Sequence, residues 1–254
     1  MNSTSIVQVL FFTAVVVYIL YRVLSERKKI EVIGSVTSLS RGERSERDLI
    51  YQLVKAGIPA STIFHDLYLP SKHGHTQIDL VVPTNVGIFV FEVKDYSGWL
   101  FGDARQDRWT QVLAYGEEKH QFYNPIKQNA THIEAIQNSS KQLQNIPMYS
   151  ILVFYGSCEL KNITNVPQNC WLAYSSEVEF VVKSIMANAQ PAPYTDKWEV
   201  MRILRSAVEN GKDESIKAAH LQKVQRTNMG KYRSTYGYSY VSRFLRYHRS
   251  RFKY

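Results

Sequence analysis

The chain opens on an almost uncharged run, Ser5–Leu24 (SIVQVLFFTAVVVYILYRVL), whose one charge is Arg22. Twenty helical residues extend roughly 30 Å, the depth of a bilayer core, so the run predicts one N-terminal transmembrane helix. Met1–Thr4 carries no charged side chain, and Arg22, Arg27, Lys28 and Lys29 follow the run where a signal peptide would need a small-residue cleavage site. Both features favour a retained anchor. The basic flank lies C-terminal to the span, which predicts a single-pass protein of the cell membrane with its bulk facing the cytoplasm. Glu31–Ser40 is a polar linker. Ser40–Lys55 predicts a helix with Leu49, Ile50 and Leu53 inside, Ser40 as its cap, Glu43 completing a capping box, and Gly57-Ile58-Pro59 ending it.

Beyond this the pattern alternates between strands and helices. Ser61–Leu69 reads as a strand, and Ser71–His75 as a polar loop. His73 and His75 permit a metal reading, though phosphate contact or plain exposure is the better account of two loop histidines. Gly98 and Gly102 suggest turns around a short strand, and Arg108–Val112 a further strand. Asn124-Pro125 starts a helix as cap and first residue, with Gln128, His132 and Ala135 sharing a face and Ile126, Ile133 and Ile136 packing. Tyr149–Tyr155 and Trp171–Tyr174 are strand-like; Glu177–Met186 and Tyr194–Asn210 are helical, with Trp198, Met201, Ile203 and Leu204 as core candidates.

The chemistry concentrates in Gln77–Lys94, QIDLVVPTNVGIFVFEVK. Two β-branched, alternating runs flank turn residues, which predicts a hairpin with Asn85-Val86 at its tip. In that register Leu80 opposes Phe91, Val82 opposes Phe89 and Ile78 opposes Val93 on an apolar face. Val81 opposes Val90, Asp79 opposes Glu92 and Gln77 opposes Lys94 on the other. Asp79, Glu92 and Lys94 then gather at the end away from the turn. Two carboxylates that close need a positive charge between them, and a magnesium ion often takes one or two carboxylates plus phosphate oxygens. A lysine beside it can hold a water or offset charge on a scissile phosphate. A half-exposed hairpin with an incidental Glu92–Lys94 ion pair is the plainer alternative, and a one-residue slip would move Asp79 to the opposite face.

These residues resemble the D…(D/E)-x-K core of restriction-endonuclease-like (PD-(D/E)xK) nucleases, and more narrowly the nuclease-related (NERD) domain. The resemblance rests on Ser45-Glu46, Gln77-Ile78-Asp79, Gly87–Lys94, Gly98, Trp109, and Asn124-Pro125 with Gln128, and it covers about Arg41–Asn138. It departs at the first helix, where the family commonly has Gly-Glu; here stand Ser45-Glu46 and, as a second candidate, Gly42-Glu43. The resemblance implies an α/β fold: a mixed sheet flanked by helices. It implies Mg²⁺ or Mn²⁺ on Asp79 and Glu92 with the Val93 carbonyl, Lys94 as the charge-stabilising group, and Glu46 and Gln128 in support. From the residues alone, Glu46 in a first helical turn is as well explained by the helix dipole, and Gln128 by solvent.

Composition adds two points. Cys158 and Cys170 form neither a CxxC pair nor a cluster with histidine, which excludes a zinc site and a disulfide framework. The formal charge of +9 belongs to the ends. After Glu214 there are ten cations and no acidic residue, interleaved with Tyr232, Tyr236, Tyr238, Tyr240, Phe244, Tyr247 and Phe252. Such a tail suits nucleic acid, an anionic lipid surface, or simple solvation. The division expected is therefore an anchor with its basic flank over 1–30, a linker over 31–40, a nuclease-like domain over 41–215 with its motifs in 41–138, and a basic tail over 216–254. The expected function is metal-dependent hydrolysis of nucleic acid, DNA before RNA. The alternatives are a non-catalytic module of the same fold tethering nucleic acid or a protein at the membrane, and a membrane protein whose tail does the work.

Overall fold

The structure, a computed structural model, describes residues 3–72 and 74–235. Six helices are seen among these residues: α1 (Ser3–Gly34), α2 (Arg44–Lys55), α3 (Pro125–Gln137), α4 (Val178–Asn188), α5 (Lys197–Asn210) and α6 (Glu214–Thr235). The strands are β1 (Phe64–Ser71), β2 (Gly74–Thr84), β3 (Gly87–Asp95), β4 (Gly98–Asp103), β5 (Arg108–Leu113), β6 (Glu118–Tyr123), β7 (Met148–Tyr155), β8 (Cys158–Thr164) and β9 (Cys170–Tyr174). The fold is mixed α/β. A five-stranded sheet in the order β1-β2-β3-β7-β9 is antiparallel through β3 and parallel beyond it.

Helices cover both faces of this sheet. Leu49, Ile50 and Leu53 of α2 and Val178, Val182 and Ile185 of α4 pack with Leu80, Val82, Phe89 and Phe91. Ala135 and Ile136 of α3 and Val200, Leu204 and Ala207 of α5 pack on the opposite side with Ile78, Val81, Ile88 and Val90. The predicted hairpin register holds from Leu80↔Phe91 to Thr84↔Gly87. Below it, Ile78 departs from expectation: it packs with Val81 rather than Leu80. The cross-strand neighbour β1 breaks its alternation at the same level. Asp66 has φ 55°, and Phe64 and Leu67, an odd spacing apart, share one core. The sheet is kinked beside Asp79.

A second sheet, in the order β6-β5-β4-β8, continues the first. β3 and β7 are parallel neighbours, and each turns through a glycine of positive φ, Gly98 (75°) and Gly156 (78°), into β4 and β8, which are parallel neighbours again. A Cβ at Gly98 would strike the Val112 carbonyl, and one at Gly156 the Tyr96 carbonyl. Sequence periodicity missed β6 and β8 because their burial is largely exposed, with little apolar alternation to read. Trp109 is fully buried, stacked on Phe154 at 6.5 Å.

Several sequence expectations are corrected. Helix α2 begins at Arg44, with Glu43 as an N-cap that makes no side-chain cap bond, so Ser40 and the capping box play no part. Its end is as expected in place: Gly57 at φ 98° and the Ile58 N–H bonding back to Leu53 close it. Trp198 is 73 % exposed, whereas Leu204 is in the core. Residues 31–34 of the expected linker are helical. The transmembrane expectation falls partly on residues outside the described ones. Ser5–Leu24 does lie within α1, but the side chains of Ser5, Ile6, Val7 and Val9 fall outside the described residues. Among the described residues, no helix is long and apolar enough to cross a membrane. The start of the basic tail is helical, in α6; its residues from Tyr236 onward lie outside the described ones.

Candidate active site

The site forms where β2 and β3 part. The hairpin ladder stops at Leu80↔Phe91, so Asp79 turns its carboxylate onto the backbone instead: Oδ2 accepts from the Val93 N–H at 2.8 Å. Val93 thus meets Asp79 through its N–H. Glu92 and Lys94, two apart on β3, share a face, and Lys94 Nζ donates to Glu92 Oε1 at 2.5 Å and to Gln128 Oε1 of α3 at 3.1 Å. Asn124 fixes α3 in place. Its side chain accepts from the Ile126 N–H and its amide donates to the carbonyls of Asp103, Ala104 and Gln106. Asn129 ties the same helix to the sheet through the Val90 carbonyl. The structure therefore brings Asp79, Glu92, Lys94 and Gln128 together.

Glu46, on α2, is buried and comes from the other face. It makes no hydrogen bond to these four; its Oε2 meets His65 Nε2 at 2.9 Å. Its charge nevertheless reaches Asp79. Burial, then Glu92, then Glu46 hold the Asp79 carboxyl well above the ordinary carboxylate range; Lys94 and the Val93 N–H oppose this and are outweighed. For Glu92, burial acts upward, but Lys94 and His132 prevail and its value lies below the ordinary one. Burial would lower Lys94, yet Glu92 and Asp79 beside it raise it well above an ordinary lysine, so its ammonium stays charged. A carboxyl raised in this way makes the fold lose stability as pH climbs from the unfolded value of aspartate through the raised folded value. A cation at Asp79 would remove that cost.

Sequence reasoning missed two histidines. His132 was placed on the face of Gln128, and that spacing could have flagged it; it bridges Glu92 Oε2 (3.1 Å) and Thr76 Oγ1 (2.9 Å). His65 sits beside Asp66 in a strand whose neighbours Phe64, Leu67 and Leu69 are apolar and buried, the signal for a buried polar role. Of the loop histidines, His73 lies outside the described residues, and the His75 carbonyl accepts from His220 of α6 at 3.1 Å. His75 stands in β2 and not in the expected loop, so the start of that strand docks the helix.

The donor set suits a hard divalent cation. It offers oxygen only, it holds more negative charge than Lys94 offsets, and Asp79 is short of compensation. Among the described residues no group of three or more His, Cys, Asp or Glu is arranged to hold a metal ion.

A mixed sheet clad by helices, with two carboxylates and a lysine at a parted hairpin, defines an α/β domain with a charged, nuclease-like site. The model of the nuclease-related domain, NERD, matches residues 41–155, and this part of the chain is a NERD domain. An uncharacterized protein of Bacillus anthracis is 30 % identical over 145 residues, 57 % of this chain and 66 % of that protein's length. No solved structure matches the chain. Two of the residues that carry the resemblance are explained by packing and not by chemistry: Trp109 fills the second core and Asn124 caps α3.

Proposed function

We propose that the chain is a metal-dependent nuclease of the PD-(D/E)xK type that hydrolyses phosphodiester bonds of nucleic acid, DNA in the first instance, through a catalytic unit spanning residues 41–215. The observation that carries this reading is the Lys94 ammonium, held between Glu92 and Gln128 beside an Asp79 left short of positive charge. Asp79 and Glu92 would hold Mg²⁺ or Mn²⁺, which when bound polarises the phosphate and lowers the pKa of a water. Asp79, held above the ordinary carboxylate range, would bind such an ion in its ionised form. Lys94 stays protonated and stabilises the charge that builds on the phosphate oxygens. Gln128 fixes the lysine's direction, and Glu46 adds field without a direct contact. On nucleic acid carrying a chain break assay, the full chain with Mn²⁺ or Mg²⁺ cleaves, chelator stops it, and Asp79→Ala abolishes it. Equal cleavage by wild type and Asp79→Ala would refute the assignment.

A second reading has one observation in its favour. Both oxygens of Glu92 already have partners, Lys94 and His132. A domain that never opens this arrangement would tether nucleic acid or a protein without turnover, and would show binding with no cleavage in the same assay.

Membrane attachment, with the domain in the cytoplasm, belongs to the proposal as well. It is supported by the large apolar side chains from Leu10 to Leu24 that stand exposed on α1. A reporter fused after Tyr254 is expected to be active in its cytoplasmic form; activity only on the outer side would reverse the orientation. The basic residues of α6 and beyond are proposed to contact nucleic acid or anionic lipid, which salt-dependent binding of each would distinguish.

A further inference from the structure

Two of the site's three carboxylates, Glu92 and Glu46 beside Asp79, are backed by the same arrangement, built from unrelated elements. Glu92 of β3 meets His132 Nε2 of α3 at 3.1 Å, and His132 Nδ1 meets Thr76 Oγ1 of β2 at 2.9 Å. Glu46 of α2 meets His65 Nε2 of β1 at 2.9 Å, and His65 Nδ1 meets Thr37 Oγ1 at 2.9 Å. Both rings are buried, at 4 % and 2 % exposure. An ionised carboxylate only accepts, so each Nε2 must carry a proton; a neutral ring then accepts at Nδ1, and each threonine hydroxyl donates. The backbone is shaped around one of these pairs. Gly42 has φ 68°, and a Cβ there would land on Glu46 Oε2 and the His65 ring. Asp79, in contrast, takes a backbone N–H.

We propose that His132 and His65 are positioning residues: His132 fixes Glu92 Oε2 and leaves Oε1 to face Lys94 or the cation, and His65 fixes Glu46 Oε2 behind the site. The inference rests on the nuclease reading. Buried ionised carboxylates need donors to remain charged, and partners that orient a ligand carboxylate typically change metal affinity or activity by 10- to 100-fold when lost, as an order of magnitude. His132 bears on the ligand directly and is the stronger case; His65 acts through the field of Glu46 at Asp79.

The test measures Mn²⁺ affinity by calorimetry and single-turnover cleavage on the full chain, with a thermal melt of each variant. His132→Leu is expected to weaken Mn²⁺ binding by about 10- to 100-fold, and His132→Gln, whose amide N–H can donate in place of Nε2, to recover most of that loss. Thr76→Val, which removes the hydroxyl that sets the tautomer, loses less than His132→Leu and decides the matter if the leucine variant does not fold. Wild-type affinity in folded His132→Leu or in Thr76→Val overturns the proposal, as does a folded His132→Gln as impaired as leucine, since ring packing would then be the role. A wild type that neither binds Mn²⁺ nor cleaves overturns the nuclease reading and this inference together. A competent wild type with an unaltered leucine variant overturns this inference alone.

Discussion

Lys94→Ala is expected to lower single-turnover cleavage on the order of 10²- to 10³-fold, the usual cost of removing one group aimed at developing charge. Mn²⁺ affinity should hold or rise. Lys94 Nζ occupies Glu92 Oε1, so its removal frees an oxygen and takes away a competing positive charge. Glu92 keeps His132 as a donor, which limits the damage to the fold. Rate measurements at saturating Mn²⁺, beside a binding titration and a melt, separate these effects. Loss of rate together with loss of Mn²⁺ binding in a folded variant would make Lys94 a support of the ligand set and not a stabiliser of the reacting phosphate.

The largest expected effect on stability lies outside the site. Arg41 Nε bonds Asp66 Oδ2 at 2.6 Å, and its Nη2 bonds the carbonyls of Asp66 (2.7 Å) and Val208 (3.0 Å). Asp66 is buried, has a positive φ of 55°, and takes a further bond from Gln77 at 2.9 Å. This cluster secures the kink in β1 that lies beside Asp79, and it joins β1 to α5. Arg41→Ala leaves a buried carboxylate unpaired, which costs about 3–5 kcal/mol. Urea unfolding should show that loss. A joint Arg41→Met and Asp66→Asn variant, which removes both charges, should recover much of it, because the desolvation cost goes with the pair. A near-neutral Arg41→Ala would mean that Asp66 finds water or a proton in its place.

The same cluster shows where the sequence was silent. Alternation in Gln77–Lys94 predicted the hairpin, its tip and the pairs from Leu80↔Phe91 onward, because one face of each strand is wholly apolar. Alternation could not predict the kink at Asp66 and Asp79, since it comes from a backbone conformation imposed by tertiary bonds to Arg41 and Gln77. The site inherits that limit. Asp79, Glu92 and Lys94 were legible from spacing, and Gln128 only through the resemblance. Glu46 was legible only as a helical acid, and its partner His65 comes from a strand 19 residues away. The first helix is a different case: hydropathy carried the expectation of a span, and among the described residues, which leave out the side chains of Ser5, Ile6, Val7 and Val9, no helix is long and apolar enough to cross a membrane. Strands β6 and β8 were hidden because they lie at sheet edges, where neither face needs to be apolar.

The central claim is that Asp79 and Glu92 take a divalent cation. Calorimetric titration of Mn²⁺ into wild type and Asp79→Asn, across pH and in two buffers of different ionisation heat, tests it directly. Asp79 is held above the ordinary carboxylate range, so wild-type affinity should rise with pH through that higher range, with proton release on binding. Asp79→Asn should bind at least about 10-fold more weakly, release fewer protons, and keep its fold. Equal Mn²⁺ affinity in the two proteins, with no proton released by either, would contradict the account.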